Sequence, residues 1–157
     1  MNTNQNCEYE KIVNYRNGLS DWMKEYKWEW FCTFNNPNGT SENTDKVLKK
    51  WTYTVCIKYN IQICYVGHII NSKITGDHIH LLMSGKNKDG KTLLDMDKSQ
   101  WEDEWERITH RCSNIQPVYD DGVFVYLNGL KNTPVNHSEM VVPYNTKLLK
   151  KYRKISS

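Results

Sequence analysis

The residues best equipped for chemistry in this sequence are His78 and His80, separated by Ile79. In a β-strand, residues i and i+2 point to one face, so this spacing sets two imidazoles side by side while Ile79 enters the opposite, packed face. That is the edge of a two-histidine metal site. Leu81-Leu82-Met83 continue the run and would fix the ligands to a rigid core element. A third ligand is expected from the neighbouring strand. His68, ten residues upstream across the Asn71 to Asp77 turn, is the best placed, with Asp77 at the strand mouth as the weaker choice. Neutral imidazoles suit manganese, zinc and other transition ions, and three protein ligands would leave positions for a phosphate oxygen and water. Magnesium matches an all-histidine shell less well, although an open site takes the metal that is available. The competing reading is structural, because an isolated H-x-H on a strand is as often a pair of hydrogen-bonded histidines.

The elements that must position this pair follow from periodicity. Ile61 to Ile70 is rich in β-branched residues and reads as a strand, Asn71 to Asp77 as a turn, and His78 to Ser84 as a second strand, close enough to form an antiparallel hairpin. Upstream, Ile12, Val13, Leu19, Trp22, Met23 and Tyr26 recur at helical spacing, with a break and a new N-cap expected at Gly18-Leu19-Ser20-Asp21. Trp28 to Phe34 is dense in aromatic and Thr residues and predicts a strand ending in the Asn35-Asn36-Pro37-Asn38-Gly39 turn. Ser41 or Thr44 can cap a helix whose Val47, Leu48, Trp51 and Val55 share a face.

Downstream, Trp101, Trp105, Ile108 and Cys112 step along an amphipathic helix whose other faces carry Glu102, Asp103, Glu104, Glu106 and Arg107. Ile115 to Tyr119 predicts a short strand, Asp120-Asp121-Gly122 a turn, and Val123 to Lys131 a further helix. Pro134 and Pro143 then bound a loop before a basic tail, so 132–157 reads as loop and basic C-terminal segment. The order strand, helix, hairpin, helix, strand, helix predicts an α+β fold, a central antiparallel sheet flanked by helices in an RRM-like sandwich.

Bulk properties bound the function. The 157 residues suit one domain, and 38% hydrophobic content is too high for a disordered chain. The longest uncharged apolar run, Ile61 to Ile70, is about half of a membrane span, so no membrane partner is expected. Met1 to Asn6 is polar, with no charged-then-apolar leader, which favours an intracellular location. Five cysteines with no C-x-x-C spacing read as reduced thiols rather than a zinc knuckle. The net charge of +3 is small, but Lys147, Lys150, Lys151, Arg153 and Lys154 crowd the chain's end, which suits phosphate contacts or, equally, a solvated helix face.

Taken in order, Phe31-Cys32-Thr33-Phe34-Asn35-Asn36, Tyr65-Val66-Gly67-His68, Gly76 to Met83 and Val123 to Lys131 resemble the HUH endonucleases, specifically the rolling-circle replication initiators of small viruses and plasmids. The resemblance spans roughly Trp28 to Lys131. It implies a central antiparallel sheet, a divalent metal (Mn²⁺ or Mg²⁺, with Zn²⁺ or another transition metal as alternatives) held by His78, His80 and His68, and a tyrosine that attacks the scissile phosphate. The products would be a 5′-phosphotyrosyl enzyme and a free 3′-hydroxyl. A phenol is a weak nucleophile at its free pKa near ~10, so a metal on the phosphate is a consistent partner.

Tyr126 is the nucleophile this resemblance selects, with Lys131 as the assisting basic residue, five residues on where the family commonly has three or four. Tyr144 is the rival, since Tyr144-Asn145-Thr146-Lys147 keeps the tighter spacing. With leucine at position 130, the pattern is that of a single-tyrosine enzyme. Asn35 and Asn36 would contact DNA near the cut or end the strand in a turn, and Lys147, Lys150, Lys151 and Arg153 would contact phosphates. Trp28 and Trp30 read as core before stacking platforms, and His110 and His137 fall outside the site.

The expected substrate is single-stranded DNA or an origin hairpin. A transposase or mobilisation relaxase would share these residues, whereas a metal phosphoesterase using water and a non-catalytic single-strand-binding module are the readings from other classes. The sequence has no G-x-x-x-x-G-K-[ST] loop, so an ATP-driven helicase is not encoded in these residues. They read either as a stand-alone initiator or as the N-terminal domain of a larger one, with a host- or replicon-encoded helicase as an expected partner.

Overall fold

The computed structural model describes residues 18–36, 41–72, 76–127 and 138–154. Its backbone is a five-stranded antiparallel sheet with helices on both faces. The strands are β1 (Trp30–Asn36), β2 (Gln62–Ser72), β3 (Gly76–Lys86), β4 (Ser113–Pro117) and β5 (Ser138–Tyr144). The helices are α1 (residues 18–23), α2 (Ser41–Lys58), α3 (Lys98–Thr109), α4 (Gly122–Leu127) and α5 (Thr146–Leu149), with 3₁₀ turns at Leu93–Asp95 and Lys150–Tyr152. The sheet order is β4-β1-β3-β2-β5. From β1 to β4 this is the split βαβ arrangement of ferredoxin-like folds, extended by β5 along β2. No helix among the described residues is long and apolar enough to cross a membrane.

Strand alternation divides the core in two. Trp30, Cys32 and Phe34 of β1 lie on the same face as Met83, Leu81 and Ile79 of β3, the residues directly opposite them. Helices α2 and α3 cover that face with Leu48, Trp51, Val55, Trp101 and Trp105. Its centre is aromatic: Phe34 meets Trp105 at 4.6 Å and Trp51 at 4.8 Å, and Trp30 meets Trp101 edge-on at 5.2 Å. Such pairs add about 1 kcal/mol each to the area they bury. On the other face, Cys64, Val66 and Leu82 pack with Met23 of α1, Phe124 of α4 and Leu148 and Leu149 of α5. Trp28 and Trp30 are both buried, as core.

Several boundaries differ from the sequence expectation. Ser20 and Asp21 lie inside helical residues 18–23, and Ser20 is buried, its hydroxyl donating to the carbonyl of Phe124 at 3.3 Å. Thr44 sits inside α2 and donates to Asp77 at 3.1 Å. Helix α3 starts on Asp97, whose carboxylate accepts from the Ser99 amide at 3.0 Å, and stops at His110 in the left-handed region at φ 58°. Cys112 therefore lies beyond the helix, exposed. Glu104, expected on a solvent face, is buried and holds Arg107 at 2.9 Å and the Lys58 ammonium of α2.

The largest correction is the loop expected between Pro134 and Pro143, where residues 138–144 form β5. Pro143 fits because β5 is an edge strand and has no neighbour to which a lost N–H would matter on one side. Residues 128–137, which include Lys131 and His137, lie outside the described residues.

Candidate metal and nucleic-acid site

The three sequence-selected histidines share one sheet face. His68 stands directly opposite His80 in the β2–β3 ladder, and His78 follows two residues before His80 on the same side. The next strand adds Thr33, opposite His80, and beyond it Asn114 of β4, opposite Thr33. One row across four strands therefore reads Asn114, Thr33, His80, His68. Ile79 enters the helix-covered core with no exposure, as its intervening position requires.

His80 is the anchored member. It is buried, its Nδ1 shares a 3.2 Å hydrogen bond with Thr33 Oγ1, and its ring stacks on Phe31 at 5.5 Å and 8°. In the tautomer with hydrogen on Nδ1, the imidazole donates to Thr33 and leaves the Nε2 lone pair for a ligand. Burial, then the neighbouring His78 and His68, lower its pKa to about 4, so its imidazole is neutral across the physiological range. The His78 ring lies 4.9 Å from it at 84°.

The donor types fit a divalent transition ion. Among the described residues no group of three His, Cys, Asp or Glu side chains is placed to hold a metal ion, and His78 and His80 present two imidazoles from one strand with His68 opposite His80. Asp77 turns the other way. Its position is opposite Asn36 on the helix-covered side, where Thr44 donates to it and Asn36 in turn donates to Thr44 at 3.0 Å.

Helix α4, which carries Tyr126, packs on the histidine-bearing face through buried Phe124. The rival Tyr144 is on the opposite face. It pairs with Tyr65, stacks on that ring at 4.9 Å and 11°, and Tyr65 bonds Thr52 of α2 at 3.0 Å. Partial burial raises the Tyr144 pKa further, which disfavours its phenolate.

The asparagines have work inside the fold. Asn35 donates from its amide to the Cys112 carbonyl at 3.2 Å and to Cys112 Sγ at 3.1 Å, while Asn36 donates to Thr44. Lys147 lies in α5, Lys150 and Lys151 in the following 3₁₀ turn and Arg153 just after it, all exposed. Thr33 and Phe31, which the sequence places in the Phe31 to Asn36 run with no role of their own, are contacts of His80. The signal was present in the alternation of Phe31, Thr33 and Asn35 along β1. No protein-family model matches the chain, and no curated protein or solved structure matches it.

Proposed function

We propose that this protein is a metal-dependent HUH-type endonuclease that nicks and rejoins single-stranded DNA through a tyrosine and thereby starts rolling-circle replication. The observation that carries the reading is the shared face: His68, His78 and His80 lie on it, and the helix bearing Tyr126 packs against it. His78, His80 and His68 would hold the ion, Mn²⁺ or Mg²⁺ first and Zn²⁺ or another transition metal as alternatives. When bound, that ion polarises the scissile phosphate and stabilises charge at phosphorus. Thr33 and Phe31 orient the His80 ring. The Tyr126 oxygen forms a bond to phosphorus as the P–O3′ bond breaks, the phenol proton passes to solvent, and the 3′-oxygen takes up a proton, with Lys131 assisting. The 5′-phosphotyrosine stores the bond energy for rejoining.

The same chemistry would serve a transposase or a mobilisation relaxase, and an intracellular site of action goes with either. A single-strand-binding module without chemistry is the second reading, in which the exposed Lys147, Lys150, Lys151 and Arg153 neutralise the strand and the histidines are structural. Incubation with a labelled single-stranded oligonucleotide pool and Mn²⁺, followed by a denaturing gel, separates them. A denaturant-resistant adduct that chelator abolishes is the expected result; binding without any adduct across the pool rejects the nuclease.

A further inference from the structure

The end of the sheet away from the histidines gathers three separate chain segments. The Tyr152 hydroxyl donates to the Gly85 carbonyl at 2.7 Å, the Lys27 amide donates to the Tyr152 carbonyl at 2.8 Å, and the Lys154 amide donates to the Glu25 carbonyl at 2.7 Å. Ser84 Oγ adds a 2.8 Å bond to the Lys27 carbonyl, and Arg153 bridges Tyr26. These backbone ties are independent of the charges they assemble. They bring Lys27, Lys86, Lys150, Lys151, Arg153 and Lys154 to one end of the molecule, all exposed.

The carboxylates of the same segments leave that charge standing. Glu29 is turned inward, accepting from the Gly85 amide at 2.8 Å. Glu25 approaches Arg153 only at 3.8 Å, with both side chains about half exposed or more, a pair of little energetic weight. Aromatic rings border the cations, with half-buried Tyr26 between Trp22 at 5.4 Å and Trp28 at 6.0 Å. Cations from several segments interleaved with rings are the composition of a nucleic-acid surface.

We propose that this end is a second phosphate-contacting surface, which holds the DNA flanking the segment that lies over the histidines. It rests on the proposed function for the identity of the strand. From His80 to Gly85 along β3 is about 17 Å at the rise of an extended strand, and α5 and its 3₁₀ turn dock on the histidine-bearing face through Leu148 and Leu149. A strand reaching the basic end therefore needs a flank beyond the nucleotides at the histidines.

The test measures binding of the full chain to a short single-stranded oligonucleotide, to one extended by a single-stranded flank and to one extended by a duplex flank, over a salt series. A triple Lys27→Gln, Lys86→Gln, Lys154→Gln variant changes only exposed side chains, and an unaltered Tm verifies its fold. The expected result is about tenfold weaker binding of a flanked strand, a salt slope lower by about two for three lost contacts at about 0.7 each, and little change for the short strand. The flank that loses more affinity is the one held. Equal loss on short and extended strands, an unchanged slope, or loss of binding to phosphatidylserine vesicles in place of DNA overturns the proposal. Failure of the nuclease reading is separate: wild type would then bind the flank with the same salt slope yet form no adduct.

Discussion

His68 and His80 stand directly opposite one another across the β2–β3 ladder, while Tyr144 lies beyond β2 on the other face, stacked on Tyr65. An oxygen held on the side covered by α2 and α3 cannot attack a phosphate bound over the histidines without leaving its stack. Tyr126→Phe is therefore expected to abolish the protein–DNA adduct, and Tyr144→Phe to retain it at near wild-type rate. The measurement is adduct yield on a denaturing gel. Adduct formation by Tyr126→Phe together with its loss in Tyr144→Phe would reverse the assignment.

The pKa of His80 makes stability depend on pH with a definite sign. Unfolded histidine titrates near ~6.5, whereas burial and the adjacent imidazoles lower the folded value to about 4. Between those values the unfolded chain binds a proton that the folded chain does not. The stabilisation is complete above about pH 6.5 and is lost as pH falls towards 4, by about 3 kcal/mol in all. Urea midpoints across that window should fall with acid in wild type and flatten in His80→Leu. Parallel slopes for the two proteins would show that His80 is not the group responsible.

Which of these features the sequence displayed depends on how local their causes are. The His78-Ile79-His80 alternation states its own geometry, because the strand period is two whatever the surroundings, and the hairpin that sets His68 opposite His80 follows from two β-branched runs. The amphipathic spacing of Trp101 and Trp105 was equally legible. What stayed hidden was set by distant partners. Residues 138–144 pair only because β2 offers an open edge, so a segment ending at Pro143 reads as a loop. Glu104 is buried with Arg107 of its own helix and Lys58 of another as its partners, and only the first is near it in sequence. Asn35 and Asn36 donate to Cys112 and Thr44, ties that nothing near them in sequence indicates.

Gly67 offers a sharper test of the hairpin than any histidine substitution. A β-carbon there would run into the carbonyl oxygen of His80 and lie 2.8 Å from Leu81 Cδ2. The obstacle is backbone, and the position adjoins the irregularity between β2 and β5, so neither strand can retreat without breaking ladder bonds. Gly67→Ala should cost about 3 kcal/mol or more, the upper end of overpacking penalties. It should also weaken metal binding by displacing His68 from His80. A urea midpoint within experimental error of wild type would mean that the strands are farther apart than described.

Asn145 decides whether the basic C-terminal segment is held in place. Its backbone is left-handed, at φ 57° and ψ 61°, its side-chain oxygen accepts from the Leu148 amide at 3.3 Å, and its amide donates to the Ile63 carbonyl at 3.2 Å. Asparagine tolerates that backbone better than alanine, and it also caps α5. Asn145→Ala loses both the cap and the backbone fit, a cost of about 2 kcal/mol, whereas Asn145→Gly loses the side-chain bonds but keeps a residue at ease with positive φ, for about 1 kcal/mol less. Alanine should therefore be the more damaging replacement by urea denaturation, and it should also weaken flanked-DNA binding, since Leu148 and Leu149 seat the lysines that follow. Equal destabilisation by alanine and glycine would remove the backbone conformation from the explanation and leave the two hydrogen bonds as the whole effect.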